Sequence, residues 1–281
     1  MMSIPTAQDS SATSSAHVRA SLLRPTLALI IAIFLLFPAC EPAPGPKSSP
    51  TPGRALPCLP PNPPAGPGSA CTPAPRGQWT EATVVSITDG DTIQVRIGAE
   101  NRRLRYIGID TPERNQPGYQ AAKDANAHLV AGQRVYLERD CRDNDGERLL
   151  RYVWLADGRM VNEELVRMGV ALPVRYPPDT RHHLRLEAAA REAWAARRGF
   201  WAGGDDAFPY AMVAVNVLGV HEGPGDAQPI RGALMCGDAL AVYGRNADGT
   251  WLQVRGPDRT GGWVRAEGVL LPVPVETVPR P

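Results

Sequence analysis

Asp89-Gly90-Asp91-Thr92, followed by Leu104-Arg105-Tyr106-Ile107-Gly108-Ile109-Asp110-Thr111-Pro112-Glu113, is the text on which the fold turns. The quartet is a turn signal, because Asp bonds its own local backbone and Gly tolerates tight geometry. It separates two runs with strand character, Thr83 to Thr88 and Thr92 to Ile97, the second alternating Ile93, Val95 and Ile97. Leu104 to Ile109 predicts a third strand. Further along, Tyr119 to Val130 predicts a helix ended by Gly132, and Val135 to Glu138 and Leu149 to Leu155 two more strands. Asp157-Gly158 turns the chain, Asn162 caps a short helix through Met168, and Gly169 stops it. A last helix runs from His183 to Arg197 with Leu186, Ala190 and Trp194 on one face, ending at Gly199. Five short strands and three helices within residues 78–203 suit a mainly β, α+β domain built on a small closed barrel such as an OB-fold.

The flanking text divides the 281-residue chain further. Arg19 and Arg24 precede an apolar run of 11 residues, Leu27 to Phe37. A membrane-spanning helix needs about 20, so residues 1–40 read as a signal peptide. The run ends in Phe37-Pro38-Ala39-Cys40, which resembles a bacterial lipobox and implies a lipid anchor on Cys40. Cleavage near Ala39 with a secreted product, or an uncleaved anchor, are the other readings. Residues 41–77 hold 13 prolines among mostly small residues and form a tether that cannot bury a core. Residues 204–210 read as a linker. Residues 211–273 carry short β runs, among them Val213 to Val217, Leu240 to Tyr243 and Trp251 to Val254, and predict a small all-β unit; residues 274–281 read as a loose tail. Setting Cys40 aside, Cys58, Cys71, Cys141 and Cys236 allow three complete pairings, and free thiols are the alternative.

With 30 Lys plus Arg against 29 Asp plus Glu, no basic balance announces a polyanion partner. Such a partner has to be argued from a local site. Asp91 and Asp110, from different strand ends, suit one hard cation that prefers oxygen donors, with the Thr111 carbonyl as a third ligand. Glu113, just beyond, is placed to take a proton from water. Arg105 and Arg148, on neighbouring strands, suit bidentate grip on a phosphate. Taken singly, each feature has a bland reading: Asp-Gly-Asp-Thr is a common hairpin turn, Asp-Thr-Pro-Glu opens a turn or helix, and an arginine is usually a solvated surface residue.

The joint order and spacing of these clusters resembles the staphylococcal-nuclease (thermonuclease) family over residues 78–203. Ala156-Asp157-Gly158-Arg159-Met160-Val161-Asn162, Tyr176-Pro177-Pro178-Asp179 and Gly199-Phe200-Trp201 add to the likeness. The resemblance implies an OB-fold barrel with three helices and one Ca²⁺ per site. It also implies hydrolysis of DNA and RNA phosphodiesters to 3′-phosphate ends. Carried over by position, Asp91, Asp110 and Thr111 hold the Ca²⁺, Arg105 and Arg148 contact the phosphate, and Glu113 orients or deprotonates the attacking water. Two departures stand out. The family usually runs Gly-Arg where this chain has Gly146-Glu147-Arg148, so counting from Tyr152 selects Arg148 and counting from Gly146 selects Glu147. The tyrosines expected to stack on the nucleotide are replaced by Gly146 and Val174.

The C-terminal unit resembles bacterial SH3-like (SH3b) domains in Val215-Asn216-Val217, Gly223-Pro224-Gly225, Gly237-Asp238, Trp251-Leu252-Gln253-Val254 and Gly261-Gly262-Trp263-Val264. That resemblance implies a small SH3-like barrel and, as partner, peptidoglycan or a cell-wall peptide. Trp251 and Trp263 are candidates for a ligand groove or for the core. The sequence therefore predicts an exported, calcium-dependent nuclease, extracellular or held at the cell envelope by lipid. A catalytically inactive nuclease-like protein that binds nucleic acid or cell wall is the competing expectation.

Overall fold

The computed structural model describes residues 56–58, 79–203 and 210–281. The expected leader (1–40), most of the tether, and the linker except Tyr210 lie outside the described residues. The first part contains β1 (Thr80–Ile87), β2 (Thr92–Ile97), β3 (Glu100–Tyr106), β4 (Ile109–Asp110), α1 (Tyr119–Val130), β5 (Arg134–Glu138), β6 (Leu149–Trp154), α2 (Val161–Arg167), β7 (Leu172–Pro173) and α3 (His183–Ala195). Strands β1-β2-β3-β6-β5 close into a barrel, as the sequence predicts. Its closure depends on a parallel pairing of β3 with β6, Leu104 opposite Leu149 and Tyr106 opposite Arg151. Ile93, Val95 and Leu104 point inward at 0% exposure. Each such buried side chain contributes about 1.5–3 kcal/mol.

Where the local pattern misleads, tertiary contacts explain the difference. The third strand begins at Glu100 rather than Leu104, because Glu100 to Arg103 carry no apolar alternation and are held by pairing with β2. It stops at Tyr106, before Gly108 takes φ +78° beside Leu186; a Cβ there would lie 2.7 Å from Leu186 Cδ1. Asn162 is not a cap. It sits inside α2 at 0% exposure, accepting from Val153 N–H at 2.9 Å and donating to Ile107 carbonyl at 2.8 Å. It thus ties α2 to two barrel segments.

The second part is an all-β sheet: β8 (Tyr210–Val213), β9 (Val217–His221), β10 (Ile230–Met235), β11 (Ala239–Arg245), β12 (Trp251–Arg255), β13 (Gly261–Arg265) and β14 (Val269–Leu270), ordered β10-β9-β13-β12-β11-β8-β14. The apolar run Val213 to Val217 is not one strand; it is the corner between β8 and β9. Residues 274–281 are not loose. Val278 is 2% exposed in the sheet's own core, and Arg245 N–H donates to the Pro279 carbonyl at 2.9 Å. Trp251 is buried, edge-on to His221 at 5.0 Å, which fits the core reading.

The sheet is fixed to the barrel. Tyr210, Met212, Ala239 and Ala241 belong to the same apolar core as the barrel, and Phe200 stacks on Tyr210 at 4.4 Å. Arg175 N–H donates to the Pro257 carbonyl at 2.5 Å, and Arg175 Nη2 reaches Asp238 Oδ1 at 2.9 Å. A disulfide joins Cys58 to Cys236, and Cys141 is also disulfide-bonded.

Candidate active site

The turn between β1 and β2 owes its shape to three contacts. Asp91 N–H donates to Asp89 Oδ1 at 3.1 Å, closing the turn on itself. Asn126 on α1 donates from Nδ2 to the Asp89 carbonyl at 2.9 Å and accepts from Tyr106 Oη at 2.8 Å. Gly90 is needed because a Cβ there would lie 2.8 Å from both Ala122 Cβ and Thr111 Oγ1. The turn is thus clamped between α1 and the Asp110–Thr111 segment.

That clamp aims Asp91 at a cleft of about 500 Å³, where all six residues expected from the sequence converge. Asp91 Oδ2 accepts from Thr111 N–H at 3.0 Å and Thr111 Oγ1 at 2.9 Å, and Oδ1 accepts from Thr92 Oγ1 at 3.1 Å. Arg105 Nη1 pairs with Asp91 Oδ1, while its Nη2 donates to Asp110 Oδ1 at 2.8 Å. A carboxylate from the β1–β2 turn and one from β4 therefore already share one cationic group. Together with the Thr111 backbone carbonyl, the donor set is all oxygen, which fits a hard divalent cation such as Ca²⁺. Glu113 is exposed at the rim, its backbone N–H held by Gln116 Oε1 at 2.7 Å.

Arg148 enters from the loop before β6. Its N–H donates to Asp145 Oδ1 at 2.8 Å, and its Nε and Nη2 to Asp145 Oδ2 at 3.0 and 2.6 Å. Burial, which alone would raise the Asp145 carboxyl, is outweighed by the hydrogen bonds and charge of Arg148, so Asp145 titrates below the usual carboxylate value. Glu147 turns away, 81% exposed and 3.8 Å from Arg103. The cleft thus receives Arg148 and not Glu147.

Residues 103–203 match the family described as Staphylococcal nuclease homologue. The Thermonuclease of Staphylococcus intermedius is 37% identical over 127 residues, covering 42% of this chain and 74% of the relative. That of Staphylococcus hyicus is 36% identical over 126 residues, covering 42% and 73%. An uncharacterized endonuclease of Escherichia coli O157:H7 is 35% identical over 128 residues, covering 45% and 80%. The chain belongs to the staphylococcal nuclease family. Within this nuclease-family barrel, a second group, Asp140, Cys141 and Asp179, brings potential metal ligands within 4.8 Å of one another. Its atoms are already engaged: Asp140 Oδ1 by Arg181 at 3.1 Å, Asp179 by Arg142 and by Cys141 N–H at 2.9 Å, and the Cys141 sulfur by its disulfide. The group anchors the start of the loop that carries Arg148.

Sequence reasoning missed the Tyr106–Asn126 brace and also Tyr243, Arg255 and Arg259, which line the same cleft from the C-terminal sheet. No local signal marks any of them, since each becomes relevant only through a long-range contact.

Proposed function

We propose that this chain is a calcium-dependent nuclease that hydrolyses DNA or RNA phosphodiesters to 3′-phosphate products. The observation that carries the reading is the convergence of two carboxylates, a rim glutamate and two arginines on one cleft. Ca²⁺ held by Asp91, Asp110 and the Thr111 carbonyl would supply positive charge against the phosphate oxygens. Glu113 takes a proton from water as the water oxygen bonds to phosphorus; the bond to the 5′ oxygen breaks, that oxygen leaves as the alcohol with a proton taken from solvent, and Glu113 returns its own proton to solvent. Arg105 and Arg148 offset the extra negative charge that develops on the phosphoryl oxygens. The relatives named as thermonucleases and an endonuclease support this assignment. Export, with or without a lipid on Cys40, rests on the text of residues 1–40 and is supported by the Cys58–Cys236 disulfide, because disulfides persist in oxidising compartments.

The test is hydrolysis of single-stranded DNA by the full chain in Ca²⁺ and in EGTA, beside Glu113→Gln and Arg148→Ala. Cleavage that needs Ca²⁺ and falls by about 10²-fold or more in each variant is the expected result. Equal rates in EGTA, or full activity in Arg148→Ala, would refute the assigned roles.

A further inference from the structure

Resting on that reading, we propose that Arg255 of the C-terminal sheet is a positioning residue for the cation site, acting through Asp110. It competes with the cation for that carboxylate, so the second sheet sets how much Ca²⁺ the cleft needs. Among the described residues, Asp110 is the one carboxylate that pairs with Arg255, through Nη2 and Oδ2 at 3.1 Å. The other oxygen, Oδ1, accepts from Arg105 Nη2 at 2.8 Å. Asp110 thus stands between two guanidiniums, one from the barrel and one from 145 residues away. Asp91 is more fully committed: it accepts from Thr92 Oγ1, from Thr111 N–H and Oγ1, and from Arg105. A carboxylate offers about four lone-pair sites, so Asp110, with one bond on each oxygen, is the ligand with room for a cation.

The two arginines are not equivalent. Arg105 also pairs with Asp91, and the phosphate it is assigned to gives it another anion to hold during turnover. Arg255 is brought to Asp110 by a strand paired on both sides, opposite Ala241 of β11 and Gly261 of β13. Ala241 is buried in the core shared with the barrel, so the strand cannot withdraw without opening that core. The Arg255 guanidinium also lies 5.5 Å from the Tyr243 ring. A cation seated on Asp110 therefore meets Arg255 across one carboxylate. Two positive groups there repel each other, and solvent screens them little because the Asp110 side chain is only 22% exposed. The Arg255 side chain is 35% exposed, which gives the displaced guanidinium a route to water.

The experiment reads Ca²⁺ binding by the full chain without substrate. The thermal unfolding midpoint is followed against Ca²⁺ concentration, which gives an apparent Kd. Arg255→Met, which keeps an unbranched stem and removes the charge, should tighten Ca²⁺ binding about tenfold. Arg255→Lys should stay near the parent, because the contact uses one nitrogen and the charge is kept. The Ca²⁺ concentration for half-maximal hydrolysis of single-stranded DNA should fall in parallel in Arg255→Met. A merely structural role predicts the opposite sign, since damage to the cleft weakens binding. In an Asp110→Asn background the effect of Arg255→Met should vanish. Unchanged or weaker Ca²⁺ binding in Arg255→Met would overturn the competition; so would equal tightening in Arg255→Lys. Failure of the nuclease reading is separately visible. A chain that binds Ca²⁺ with this Arg255 dependence and never cleaves keeps the competition and loses the enzyme. Ca²⁺-dependent cleavage with a Ca²⁺ affinity indifferent to Arg255 does the reverse.

Discussion

Replacing Asn126 by Ala should damage the site without touching any group proposed for chemistry. Asn126 is fully buried and makes two side-chain bonds, one from Tyr106 Oη at 2.8 Å and one to the Asp89 carbonyl at 2.9 Å. Removing a partner from a buried polar group costs about 1–3 kcal/mol. The Tyr106 hydroxyl, on a residue only 1% exposed, bears that cost in full. The Asp89 carbonyl, on a half-buried turn, is partly rescued by water. Loss of the side-chain volume adds to this, so about 2–4 kcal/mol of stability should disappear. Tyr106→Phe is the informative control, since it removes the upper bond and leaves Asn126 holding the turn. It should cost about 1 kcal/mol and little activity, whereas Asn126→Ala should lower the proposed calcium-dependent hydrolysis because the turn that aims Asp91 is loosened. Denaturant unfolding gives the stabilities, and initial rates against calcium concentration give the functional half. The two singles and the double form a cycle in which about 1 kcal/mol or more of coupling is expected. If Asn126→Ala and Tyr106→Phe lose the same activity, or the cycle shows no coupling, the bracing role is refuted.

Two other outcomes follow from the structure. The Cys58–Cys236 disulfide spans a sequence separation of 178, for which the chain-entropy treatment gives about 5 kcal/mol as an upper value; Cys58→Ser with Cys236→Ser should lower the unfolding midpoint, and an unchanged midpoint would show that the crosslink adds nothing. Glu138 is held below its ordinary value of 4.5: burial pushes it up, but the hydrogen bond and charge of His182, with Arg181 and Trp154, outweigh that. Because the folded value is depressed, this stability is present above the ordinary carboxylate value and is lost as pH falls through the folded one. Glu138→Gln should flatten the acid limb of a stability-against-pH curve, and an identical limb would exclude this network as a source.

What lay in the sequence was short in range. The Asp89–Thr92 turn, the alternation of β2 and the helix at Tyr119–Val130 are written in neighbouring residues, because turn chemistry and apolar periodicity act over a few positions. Asp91, Arg105, Asp110, Thr111 and Glu113 were legible for the same reason, through the order of compact motifs. Arg148 against Glu147 was not, because a one-residue difference in a loop is settled only by which side chain Asp145 captures.

Tertiary structure alone decided the rest. The first three barrel strands are local hairpin text, yet closure depends on the parallel match of Leu104 with Leu149, and pairing, not periodicity, held Glu100 to Arg103 in a strand. Asn162 read as a cap and became a buried bridge, since the same amide serves either role and only the surroundings choose. Arg255 and Asp110 lie 145 residues apart, and nothing local to either encodes their contact. Short-range text set which chemistry the barrel can hold; the docking of the second sheet, through a shared apolar core and the Arg175–Asp238 pair, decided what walls that chemistry in. The physical reason is that local patterns specify elements, while burial of non-adjacent surfaces specifies which elements meet.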